Sequence, residues 1–176
     1  RYFISYMLGA DVSGLYAVAN KISTIMLIIS NIFTSAWQLS AMDGRPRAEK
    51  ERFFSNVYSV YEAGALTGAA VLMAASRLIM RFLAAPDYFS AWHYAPVLTL
   101  GTALGCLGAF FASVYMVEKR SAATLVTTAA GAVLNLAGNA LLIPVWGAMG
   151  AAVSTLASYA VILAARALHS RRLLKV

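Results

Sequence analysis

Charge is what this chain has least of. Only 12% of its 176 residues are Asp, Glu, Lys or Arg, against about 25% in soluble globular domains. Seven of them are acidic, and most of these lie in the connections between apolar runs, so paired catalytic carboxylates are not in sight. Cysteine is almost absent. Cys106 stands alone, which excludes an internal disulfide, and with two distant histidines it gives no metal-ligand spacing. Inside an apolar run it reads as a packing residue. A glycine-rich phosphate loop, Gly-x-Ser-x-Gly and His-x-x-x-His are all missing. The expectation is a protein that is not an enzyme and uses no cofactor or metal.

What the chain does have is apolar surface. Hydrophobic residues make up 61% of it, and the mean hydropathy is +0.72. Both values exclude a cytosolic domain, a disordered tail and a small secreted module. At about 20 residues per crossing, the length allows at most some seven or eight spans. The net charge of +7 could suggest nucleic acid. However, the basic residues gather in short segments between apolar runs, as membrane anchors do, and no nucleic-acid partner is expected.

Gaps between charges mark the spans. No charge falls between Lys21 and Asp43, and a helix is predicted over 14–41. A second is predicted over 53–80, interrupted by Glu62 and Arg77, and a third over 94–117. The stretch 121–165 holds 45 residues without a charge. As one helix it would run ~67 Å, more than twice the ~30 Å hydrocarbon core, so it must fold back. Pro144 and Gly147 mark the break, giving helices over 121–143 and 147–168 and a basic tail over 169–176. Ahead of these, seven apolar residues after Arg1 are too few to span, and no charged leader with a cleavage site is seen. The expectation is a stub of a helix cut within a longer protein. The predicted class is an all-α membrane protein with five transmembrane helices and a truncated stub.

Lys and Arg alternate between connections. The segment 43–52 carries four, Lys119 and Arg120 follow the third helix, and four more lie from Arg166 to Lys175. The connections at 9–13, 84–94 and 144–150 carry none. This is the positive-inside pattern with a cytoplasmic C-terminus. Arg77 and Arg81 depart from it, and either snorkel outward or serve a polar interior.

Helical periodicity gathers the polar residues into stripes. Asn20, Thr24, Asn31, Ser35 and Gln38 share one face, and Ser55, Tyr58, Glu62 and Ser76 another. Thr124, Thr128, Asn135 and Asn139 line up around Gly131. Such stripes must face other helices or a water-filled cavity, because lipid cannot hydrogen-bond them. Gly64 with Gly68, Gly101 with Gly105, and the row Gly147, Ala151, Ser154, Ser158 suit close helix approach. Charges at membrane depth need a partner or a task. Glu62 is the candidate for ion coupling, with interfacial snorkelling as the plain alternative. Arg77 offers a donor fork suited to phosphate, with interfacial anchoring as its alternative. Lys21 suits anchoring or cavity lining, and His93 an aromatic belt beside Trp92 and Tyr94.

Certain segments resemble a known family. They are GLYAVANKI at 14–22, AWQLS at 36–40, FSNVY at 54–58, YAPVL at 94–98 and YMVEK at 115–119. Asn135 with LLIP at 141–144, then GAMGAA at 147–152 and Ser158–Tyr159, is the most similar part. In order and spacing these resemble bacterial polysaccharide exporters of the O-antigen flippase type, relatives of the multidrug and toxin extruders. The resemblance implies the C-terminal lobe of a transporter with 12 to 14 helices. It also implies movement of an undecaprenyl-pyrophosphate-linked oligosaccharide across the bacterial inner membrane by alternating access. Implied partners are that lipid-linked oligosaccharide, membrane lipids, the N-terminal lobe of the same chain and a polysaccharide polymerase. Asn20, Lys21, Asn31, Gln38, Arg77, Asn135 and Asn139 would line the substrate cavity, with Glu62 coupling an ion. The competing readings are a cation-coupled multidrug exporter of the same fold, a membrane-embedded glycosyl- or acyltransferase, and a non-transporting membrane scaffold.

Overall fold

A computed structural model describes residues 2–41, 47–117 and 121–174, and all regular structure in them is helical. In order come α1 (Tyr2–Leu8), α2 (Ala10–Ala41), α3 (Arg47–Leu83), a 3-10 helix (Pro86–His93), α4 (Ala95–Val117), α5 (Ser121–Trp146) and α6 (Ala148–Leu174). Five of these, α2 to α6, are long and apolar enough to cross a bilayer. The chain is an all-α, multi-pass membrane protein.

Several boundaries differ from those read off the sequence. The connection expected over 9–13 shrinks to Gly9, and α2 begins at Ala10. Gly9 takes the left-handed conformation, with φ 88°, and its N–H donates to the Ser5 carbonyl at 3.2 Å. That is the single-bond left-handed helix cap. The same device ends α5, where Gly147 has φ 57° and its N–H donates to the Ile143 carbonyl at 2.8 Å. The helix therefore runs through Pro144 to Trp146 rather than stopping at 143. A proline in the last turn removes one hydrogen bond, and the glycine cap behind it completes the end. α3 likewise extends past both predicted ends. α6 continues to Leu174, so the segment at 169–176 starts as helix. The basic connection at 43–46, Lys119, Arg120 and Lys175 lie outside the described residues.

α4 is the hub. It packs against α2, α3 and α6, and 56% of its span is buried against 11% for α5. Its sequence explains the placement. Gly101 and Gly105 bring α4 close to α6, where an added Cβ would stand 3.2 Å from Leu156 Cα and 3.3 Å from the Tyr159 ring. Between helices in lipid, such van der Waals fit replaces the hydrophobic drive of water. Gly64 behaves differently from the predicted close-approach face. Nothing lies within 4 Å of its Cβ position, and it borders an apolar cavity between α2 and α3 with Met26, Phe33 and Tyr61.

Two apolar clusters fill the bundle. One joins α2, α3 and α4 through Met26, Trp37, Phe54, Tyr61, Leu107 and Phe110, with Trp37 stacked on Phe110 at 4.6 Å between ring centroids. The other joins the opposite ends through Ile4, Tyr16, Ile22, Met80, Leu98 and Ile143.

Candidate functional site

The polar stripe of α2 decides where a site forms. Tyr16, Ala19, Ile22 and Met26 turn the helix's apolar side into the bundle. The polar residues fall about a third of a turn away, at the rim of the contact with α4. Between α2, α4 and α6 this leaves a groove of about 360 Å³, lined by Asn20, Ser30, Asn31, Thr102, Thr155 and Tyr159 among others. Asn20 and Asn31 are eleven residues apart, ~16 Å along the axis, so the groove occupies the middle of the α2 span, Ala10–Gln38. Its lining mixes hydroxyls and amides with apolar side chains and, among the described residues, includes no charged one.

The groove walls are held by interhelical hydrogen bonds. Ser30 bonds the Tyr61 hydroxyl of α3, and Ser23 bonds Thr99 of α4 at 3.3 Å. On the far wall Thr155 donates to the Ala151 carbonyl at 2.9 Å and accepts from Asn135 Nδ2 at 3.3 Å. Asn139 Nδ2 in turn donates to Asn135 Oδ1 at 2.9 Å. Ser154 Oγ reaches the Asn135 carbonyl at 3.0 Å. The stripe of α5 thus faces α6. Asn135 stands one residue behind the groove and Asn139 two, with Asn139 Oδ1 buried and unbonded. Through its Nδ2 and the side chain of Asn135, Asn139 is tied to Thr155 on the groove surface.

The other sequence candidates are placed apart. Lys21 is exposed and borders a separate cavity of about 240 Å³ with Ile79, Met80 and Tyr88. Arg77 lies with Arg81 in a third cavity at the C-terminal end of α3. Glu62 is half-buried on α3, and its carboxylate interacts with the Tyr58 phenol one turn earlier. Gln38 is half-buried beside Trp37. None of these four lines the groove. His93 is exposed and stacks on Trp92 at 4.0 Å. Among the described residues, no group of three His, Cys, Asp or Glu could hold a metal ion.

One residue escaped the sequence reading. Arg166, counted there with the basic tail, is only 6% exposed and reaches across two helices. Its Nη1 donates to the Gly108 carbonyl at 2.8 Å, its Nε to Thr127 Oγ1 at 3.0 Å and its Nη2 to Thr128 Oγ1 at 2.8 Å. All three acceptors are neutral. The signal was present: the row through Ser154 and Ser158, continued in steps of four, passes Ile162 and arrives at Arg166.

No family model, curated protein or solved structure matches the chain.

Proposed function

We propose that this chain is the C-terminal lobe of a flippase that moves an undecaprenyl-pyrophosphate-linked oligosaccharide across the bacterial inner membrane. Transport, not chemical conversion, is its task, and the C-terminus lies in the cytoplasm. The observation that supports this reading most is the open side of α2. Asn31 and Ser35 are exposed on a helix whose composition requires a bilayer. Lipid cannot satisfy them, so that face needs water, substrate or a second lobe. The uncharged hydroxyl and amide lining of the adjoining groove suits sugar hydroxyls, which pair as donor and acceptor alike. An open groove also lets a polyprenyl tail remain in the bilayer while the headgroup crosses. No carboxylate lines it, which disfavours a cationic drug as the cargo.

The test is the pool of lipid-linked oligosaccharide, resolved by leaflet, after deletion of the full-length gene. The expected result is accumulation on the cytoplasmic side, relieved by the intact gene. Relief that fails with Asn31→Leu, at normal membrane insertion, would assign the groove. An unchanged pool in the deletion strain refutes the flippase reading.

A further inference from the structure

At the C-terminal end of α3, a cavity of about 830 Å³ is walled by Ala74, Leu78, Ala84, Pro86 and Phe89 and entered by two guanidinium groups, Arg77 and Arg81. The two arginines are one turn apart on one helix face, and among the described residues no carboxylate lines the cavity. Arg77 is held in place by a neighbour: its Cζ sits 5.4 Å from the Trp92 ring centroid. A contact of this kind is an electrostatic attraction of the cation to the ring face. The planar donor fork of a guanidinium suits an oxyanion. Along α3, Leu78 and Phe82 are exposed, at 59% and 78%, and continue the apolar wall as lipid-facing surface.

The position along the membrane adds a constraint. Glu62 and Arg77 are fifteen residues apart, ~22 Å at 1.5 Å per residue, while the hydrocarbon core is ~30 Å thick. Both charges therefore cannot lie outside it on an upright helix. A charge drawn below headgroup level is relieved by local thinning and by headgroups that follow it inward. Arg81, one turn (~6 Å) further towards the end of α3, lines the same cavity.

We propose that Arg77 and Arg81 form a binding site for the phosphate of an anionic phospholipid, whose acyl chain lies along Leu78 and Phe82. The guanidinium edges take the phosphate oxygens, and the apolar wall takes the glycerol and first methylenes. The cavity is within the volume range of small-molecule sites. The occupant is a lipid rather than a soluble anion because the apolar wall of the cavity runs on into the lipid-facing side of α3. This site is separate from the groove between α2, α4 and α6, and the proposal does not depend on the transport reading.

The test uses the full-length protein purified in detergent and reconstituted into nanodiscs of phosphatidylcholine with a minor fraction of phosphatidylglycerol. Lipids retained on the protein after re-extraction are counted by native mass spectrometry. The chain should enrich phosphatidylglycerol, and the doubly substituted Arg77→Gln, Arg81→Gln chain should lose roughly 30-fold of that preference, at about one basic-residue contribution each. Arg77→Lys with Arg81→Lys keeps the charges and should keep most of the enrichment, which guards against a merely unfolded Gln variant. Equal retention of both lipids by the unaltered chain overturns the proposal. So does full enrichment in the Gln variant, or displacement of the lipid by millimolar inorganic phosphate, which would mark a site for a free anion.

Discussion

Arg166 Nη1 donates to the main-chain carbonyl of Gly108 at 2.8 Å, joining positions 58 residues apart in the chain. The acceptor is main chain, and an added Cβ at 108 would stand 3.9 Å from Nη1, an ordinary van der Waals distance. The same guanidinium bonds Thr127 and Thr128 of α5, so one side chain clamps three helices at one end of the bundle. Tyr115 reinforces the clamp by donating to the Arg166 carbonyl at 3.0 Å.

This clamp predicts an unusual order of substitutions. Thr127 and Thr128 also donate to carbonyls of their own helix, at 2.9 and 2.7 Å, so they lose little if the arginine goes. Arg166→Leu should therefore cost less than about 1 kcal/mol. Arg166→Lys keeps a buried charge that cannot reach three acceptors at once and should cost about 2 kcal/mol. Reversible unfolding in detergent checks the order. A leucine variant less stable than the lysine variant refutes this account.

Glycine substitutions at the α5–α6 hairpin should separate by what stands opposite. At Gly150 a Cβ would overlap the Leu142 carbonyl, which is backbone. At Gly131 it would meet Cδ1 and Cγ1 of Ile162, side-chain rather than backbone atoms. Gly150→Ala should lower stability by about 3 kcal/mol or more, and Gly131→Ala by about 1 kcal/mol. Ile162→Val removes Cδ1 but keeps Cγ1, so it should recover only part of the Gly131→Ala loss. Thermal melts of the four proteins decide it.

The Ser30–Tyr61 hydrogen bond links α2 to α3 beside the groove. A double-mutant cycle of Ser30→Ala and Tyr61→Phe should return a coupling of about 0.6 kcal/mol, and not above about 1.7. A coupling near zero would mean that the stacked Phe33 and Tyr61 rings, 4.6 Å between centroids, hold the contact by themselves.

Transport by the full-length protein should divide the polar candidates. Asn31→Leu should slow transport at unchanged stability. Asn135→Leu should instead lower stability, because its amide donates to Thr155 and its Oδ1 accepts from Asn139. Glu62→Gln should abolish any dependence of the rate on a pH gradient if Glu62 carries the coupled proton. A rate that follows the gradient unchanged in that variant removes Glu62 from the mechanism.

Much of the architecture was legible in the sequence. The gaps in charge from Lys21 to Asp43 and over 121–165, with Gly147 behind Pro144, set the number of spans, because crossing a bilayer demands a minimum apolar length whatever the partners are. The faces of the helices followed from periodicity, and the α5 stripe does meet α6 through Asn135 and Ser154. What periodicity lacks is the identity of the helix opposite. It could not tell that Asn20 and Asn31 share a groove while Lys21, next to Asn20, opens onto another cavity. Nor could it take Arg166 out of the basic tail. That assignment rests on Gly108, Thr127 and Thr128 converging from two other helices, an arrangement that side-chain packing between distant segments creates and that no local pattern encodes.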